Sequence, residues 1–198
     1  MAESYHHGAL RAELVERAVD VIATDGPSDL SLRALARQAG VSHAAPAHHF
    51  ATRTGLLTAV AAAGYRLLAA QLTSAAATGV FLEIGVAYVQ FAVDHPAHFD
   101  VMFRRDLLHG DDPELVAAEQ SAFGVLRSGV DSMAERGTVD DAAAAVVAGW
   151  SLVHGLAVLA ATGSLDSAKL RQLLEERDLA AVTRRAAGML FGSPGGPP

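Results

Sequence analysis

The sequence predicts an all-α protein, and three observations carry that expectation. Alanine supplies 41 of the 198 residues, and alanine and leucine are the strongest helix formers. β-branched and aromatic residues are sparse outside short stretches. No Asn-Gly hairpin signal and no alternation of strand and helix patterns occurs. With 51% hydrophobic and 19% charged residues, the chain is too apolar for disorder and long enough to bury a core.

The elements follow in order from periodicity and punctuation. The first helix runs from about Ala9 to Asp25, because Leu10, Leu14, Ala18 and Ile22 recur four apart on one face. Gly26 suits a left-handed cap and Pro27 cannot continue a helix, so it ends there. Ser31 is the N-cap of a short helix, Leu32 to Ala39, which Gly40 closes, and Ser42 caps another, His43 to about His49. Thr52 caps a long helix to about Ala76, and Gly79 precedes one from Val80 to Asp94. His95-Pro96 opens a short helix reaching about Arg105. Asp112-Pro113 sets an N-cap before a first-turn proline, and that helix reaches about Arg136 before Gly137. Asp140 or Asp141 starts the next, to about Ala161 before Gly163. Ser167 caps a last stretch to about Leu190, with a break expected near Asp178, and Ser193 to Pro198 reads as a frayed tail.

Ala142 to Gly163 is 22 residues without a charge, long enough to span a bilayer. Eight alanines, a central His154, the leading Asp140-Asp141 and the lack of flanking Lys or Arg argue against a span. A helix buried in a core and an oligomer interface fits better. Zero cysteine excludes disulfides, thiolate metal sites and a cysteine nucleophile. The first residues have neither a basic start nor an apolar run, so no secretory signal is expected and the compartment is read as cytoplasmic. The net charge of −7 argues at first against a polyanionic partner. Its distribution reverses the argument. Residues 30–82 hold no carboxylate but carry Arg33, Arg37, Arg53 and Arg66, giving +4 against −11 for the rest.

Residues 32–42 read Leu-Arg-Ala-Leu-Ala-Arg-Gln-Ala-Gly-Val-Ser. This has the shape of a helix-turn-helix. Ala36 is small where two helices cross, and Gly40 takes a turn position that is left-handed. Val41 fills the angle between the helices, Leu32 and Leu35 face inward, and Ser42 satisfies N–H groups of the second helix. Such a second helix can enter the major groove. Similar αα-corners occur in enzymes, so the pattern by itself leaves that reading open.

The surroundings resemble the TetR family of transcriptional regulators over about Tyr5 to Leu57. The resemblance lies in Asp25-Gly26, Ser31 to Ala36, Gly40-Val41-Ser42, His49-Phe50, Arg53 and Leu56-Leu57, in that order and spacing. Farther on, Trp150-Ser151-Leu152-Val153-His154-Gly155 resembles the Trp-x-x-x-His-Gly signature of a TetR C-terminal class, the WHG class, and His95 to Phe103 resembles a helix preceding the ligand pocket. The resemblance implies a three-helix DNA-binding domain (1–55), a helical effector-binding and dimerisation domain (56–192) and a flexible tail (193–198). It implies backbone contacts to DNA from Ser31, Arg33, Ser42, Thr52 and Arg53, with His43, Ala44, Ala45 and His48 facing the groove. The sequence departs from the family at Pro46-Ala47, where a Leu-Tyr pair is usual. Ala47 has no hydroxyl for phosphate, and Pro46 should shorten or distort the helix. Alanine methyls and histidines remain as the reading groups, with no Arg, Gln or Asn between 43 and 49.

No glycine-rich phosphate loop, Gly-x-Ser-x-Gly elbow or His-Glu-x-x-His is found. Asp111-Asp112, Asp140-Asp141 and Glu175-Glu176 read as caps and solvated faces, so no catalytic, metal or cofactor site is expected. The resulting expectation is a homodimeric repressor, released from a pseudo-palindromic DNA operator by a small apolar effector. Phe91, Phe99, Met102, Phe103, Phe123, Trp150 and His154 are candidates to line its pocket, and each equally fits plain core. The helices from Asp141 to Ala161 and from Ser167 to Leu190 would form the dimer interface. Two alternatives stay open: a DNA-binding protein without effector, and a helical enzyme or interaction domain with an incidental helix-turn-helix.

Overall fold

The structure is a computed structural model that describes residues 2–167 and 178–192, with side chains from Ala9 onward. All regular structure among the described residues is helical. The α-helices are α1 (Ala2–Asp25), α2 (Leu32–Gln38), α3 (Ala44–Phe50), α4 (Arg53–Ala76), α5 (Phe81–Asp94), α6 (Pro96–Met102), α7 (Pro113–Glu135), α8 (Ala142–Ala161) and α9 (Leu179–Phe191). Short 3-10 turns lie at Pro27–Asp29, Arg105–Leu107 and Ser164–Asp166. The all-α expectation stands.

The boundaries are set by the residues that terminate helices. Gly26, Gly40, Gly79, Gly137 and Gly163 all have positive φ, and each falls just after a helix or turn end. Asp112 accepts from the N–H groups of Glu114 and Leu115, and Asp141 accepts from Ala144 at 2.9 Å. Four expectations need correction. Ser42 makes no side-chain cap for α3, which starts at Ala44 with His43 in the capping position. α1 starts at Ala2, earlier than Ala9. The helix opened by His95-Pro96 stops at Met102, because Arg104 leaves helical backbone (φ −88°, ψ 74°) before the Arg105–Leu107 turn. Ser31 makes no side-chain cap; its carbonyl accepts the Leu35 N–H at 3.0 Å instead. The break expected near Asp178 falls there, with Asp178 capping α9 through the Ala180 N–H. Residues 168–177 and the tail 193–198 lie outside the described residues.

Packing groups residues 1–65 with 97–119, and 66–96 with 120–198. In the first unit, Leu14, Ala18 and Ile22 of α1 meet Leu35 and Ala36 of α2, Phe50 of α3 and Leu56, Leu57 and Val60 of α4 in the buried interior. Gly64 lets α6 come close, since a Cβ there would stand 2.6 Å from Met102 Sδ. The Tyr65 hydroxyl donates to the Met102 carbonyl at 3.2 Å. Buried Thr58 donates to the Thr54 carbonyl at 2.8 Å, and its Oγ1 accepts the His109 N–H at 3.0 Å.

In the second unit α5 packs on α8 and α9, and α8 meets α9. Small residues permit the approach: a Cβ on Gly85 would lie 3.1 Å from Val153, and one on Gly149 would lie 3.0 Å from Phe191. A bidentate ion pair joins α9 to α5, with Arg184 donating to Glu83 at 2.6 and 3.0 Å. α4 and α8 are both long and apolar enough to cross a membrane; the most apolar window of α4 is 67% buried, that of α8 only 17%.

Candidate nucleic-acid interface and effector region

The helix-turn-helix is α2, the turn at Gly40 and α3. Ala36 is fully buried, and its carbonyl accepts the Val41 N–H at 3.0 Å, which closes the turn. Gly40 has φ 66°, where a side chain would be strained. α3 holds Pro46 in its first turn, where a missing N–H costs no intrahelical bond. The Ser42 carbonyl, which would have paired with residue 46, accepts the Ala45 N–H at 3.0 Å instead. α3 runs unbroken past Pro46 from Ala44 to Phe50, seven residues, the length expected for His43 to His49 but shifted by one.

α3 has two distinct faces. Pro46 and Phe50 are buried, and Ala45 and His49 are half-buried. His43, Ala44, Ala47 and His48 are exposed. By sequence Pro46 is a disturbance; the structure makes it a core residue. Ala45, expected to face outward with its neighbours, lies partly inside. The nearby residues Ser31, Arg33, Ser42 and Thr52 are exposed.

The turn into α4 is tightly built. The Thr52 N–H donates to the Phe50 carbonyl at 2.6 Å around Ala51, whose φ is 57°. This is a γ-turn of the strained hand. Thr52 caps α4, its Oγ1 accepting the Gly55 N–H at 3.0 Å. Gly55 is required by the same turn: a Cβ there would stand 2.1 Å from the Phe50 carbonyl oxygen. Arg53 donates through Nη2 to the Pro27 carbonyl, so part of its guanidinium braces α4 against the 3-10 turn. Arg11 of α1 stands over the Phe50 ring at 5.6 Å and pairs with Glu114 at 3.0 Å. The roles of Arg11 and Pro46 have no local sequence signal, since they depend on the rest of the fold, whereas that of Gly55 is set within the turn by Phe50.

The residues proposed for an effector fall in both units. Phe99, Met102 and Phe103 belong to the first, where Phe99 meets Phe103 at 5.2 Å and Phe103 meets Tyr65 at 5.9 Å between ring centres. Phe91, Phe123, Trp150 and His154 belong to the second. There Phe91 is fully buried, its ring centre 4.9 Å from that of His95 with the planes tilted by 40°. Trp150 lies 6.5 Å from Phe123 and 6.1 Å from His154. Tyr88, which sequence reasoning missed, joins the group: its hydroxyl shares a hydrogen bond of 2.9 Å with His154 Nδ1. Burial raises the Tyr88 phenol above its ordinary range, while the neighbouring Trp150 opposes the rise. Burial lowers His154, which favours its neutral imidazole.

The sequence matches the model of bacterial regulatory proteins of the tetR family over residues 14–60, and that of a tetracyclin repressor-like C-terminal domain over residues 81–191. The second alone spans more than half of the chain. The chain belongs to the TetR family. Among solved structures, a Rhodococcus sp. RHA1 protein of unknown function is 33% identical, with 94% of this chain and 96% of that one covered and a TM-score of 0.78. A tetR-family regulatory protein from Rhodococcus RHA1 is 20% identical, covering 91% and 94% at a TM-score of 0.68. The regulator PfmR from Thermus thermophilus is 18% identical, covering 91% and 97% at a TM-score of 0.65. No curated protein matches the chain in sequence. TetR proteins are DNA-binding transcriptional regulators, not enzymes, and the N-terminal match covers α2, α3 and the turn between them.

Proposed function

We propose that this TetR protein is a cytoplasmic, homodimeric repressor that a small apolar effector releases from a pseudo-palindromic operator. The outward face of α3, set in a stretch of 53 residues without a carboxylate, supports this reading most directly. DNA would meet Arg33, Arg37 and Arg53 from this stretch, which carries no carboxylate. Ser31, Arg33, Ser42 and Thr52 would contact phosphates, with Arg53 using donors that Pro27 does not take. His43, Ala44, Ala47 and His48 would face the major groove, with Ala45 at the edge. A second copy would cover the outward apolar side chains of α8 and α9, among them Val147, Val158, Leu159 and Met189. The effector would contact the Tyr88–His154 pair and neighbouring aromatic rings, a largely apolar surface with few polar groups. By preferring one arrangement of the dimer it would shift the DNA-binding equilibrium.

The test is retention of a duplex taken from upstream of its own gene at low salt. Arg33→Ala is expected to weaken retention and to reduce the slope of log affinity against log salt by about 1. Loss of all retention by the wild-type chain, or an unchanged slope in the variant, would sink the phosphate-contact reading. A lipophilic compound that raises the melting temperature and releases the duplex would support the effector reading. Compounds that raise it without release would argue against it.

A further inference from the structure

The exposed face of α3 has a composition that restricts what it can read. His43 and Ala47 are four residues apart, Ala44 and Ala47 three, and Ala44 and His48 four, so the exposed set forms one continuous face. At about 100° per residue the order around the helix is His43, Ala47, Ala44, His48. Two methyl groups therefore lie side by side, with an imidazole on each flank. Pro46 and Phe50, both buried, fix this rotation of the helix, so the methyls cannot turn inward without exposing the pyrrolidine ring.

Resting on the DNA-binding reading above, we propose that this face selects its operator by thymine methyl groups. The thymine C5-methyl is the apolar group of the major groove, and alanine methyls contact it. The face holds no guanidinium, amide or carboxylate, so it cannot form the two-pronged hydrogen bonds that select guanine or adenine, nor accept from cytosine N4 with a carboxylate. Each imidazole can serve a single purine N7 or exocyclic group beside the methyl pair. The bases beneath Ala44 and Ala47 are thymines on adjacent steps of each half-site. Cytosine at those steps would leave a methyl-sized gap against each alanine.

The experiment uses the full-length protein and the upstream duplex that it retains, with half-sites located by footprinting. Each thymine of a half-site is replaced in turn by deoxyuridine, which removes the methyl and leaves pairing intact. Two positions per half-site are expected to lose about fourfold in affinity each, the value of one buried methyl. Cytosine at either position is expected to weaken binding further, and 5-methylcytosine to recover part of the loss. Ala47→Ser, which puts a hydroxyl where the methyl meets the groove, is expected to abolish the deoxyuridine effect at one position and spare the other. A half-site fully substituted with deoxyuridine and bound as tightly as the thymine duplex would overturn the proposal while leaving DNA binding intact. Failure to retain any duplex would overturn both.

Discussion

Thr58 shows how one hydroxyl can join distant segments. It is 2% exposed and serves both the Thr54 carbonyl and the His109 N–H, 51 residues away. Thr58→Val keeps the shape but orphans the His109 N–H, and is expected to cost about 1–3 kcal/mol in urea unfolding. Thr58→Ser keeps the hydroxyl and should cost less; a larger loss in Thr58→Ser than in Thr58→Val would show that the methyl, not the bond, matters. Gly55 makes the same point through backbone. An added Cβ would collide with the Phe50 carbonyl, which cannot swing aside as a side chain can. Gly55→Ala is therefore expected to destabilise by about 3 kcal/mol, near the upper end of overpacking costs, and to disturb the α3–α4 turn. An unchanged melting temperature would contradict this.

Between elements, α5 is held to α9 by charge and to α8 by a buried polar contact. Hydrogen bonding to Arg184 lowers the Glu83 carboxyl below its ordinary value, against the opposing effect of burial, and the Arg184 charge lowers it further. A depressed carboxyl contributes stability above its unfolded value and loses it as pH falls through the folded one. The stability difference between wild type and Glu83→Gln is thus expected at neutral pH, and should shrink as pH falls below the ordinary carboxylate value of 4.5 and be lost through the lower folded one. Both partners are partly exposed, so about 1 kcal/mol is the upper bound. His154 titrates with the same sign for another reason: burial disfavours its cation. Its imidazole resonances should titrate with a midpoint below 6.5, and a midpoint above that value would contradict the burial seen here.

At the scale of the molecule, α8 is long, apolar and mostly uncovered, with 17% of its most apolar window buried. Val147 is 61% exposed on a helix without a single charge, and Met189 of α9 is 88% exposed. The dimer proposed above would cover this apolar surface. Sedimentation is expected to give a dimer, and Val147→Glu with Leu159→Lys a monomer. Because two half-sites bound together gain far more than one, the monomer should also lose operator retention. A monomer that still retained the operator at wild-type strength would refute the link between dimer and DNA.

The sequence alone determined what depends on local chemistry. Alanine richness and the lack of strand signals dictated all-helical structure, the positive-φ glycines marked helix ends, and Asp112, Asp141 and Thr52 formed the caps expected of them. The helix-turn-helix was legible because its spacing of Ala36, Gly40 and Val41 is itself local geometry. Tertiary structure decided what depends on which surfaces meet. It turned Pro46 from a disturbance into core, placed Ala45 partly inside, tied Arg53 to Pro27 and set Tyr88 beside a histidine 66 residues away. A pattern of three or four residues fixes the direction of a side chain on its own helix. Its partner is fixed only when another helix is placed against it, and that placement depends on the burial of the whole unit.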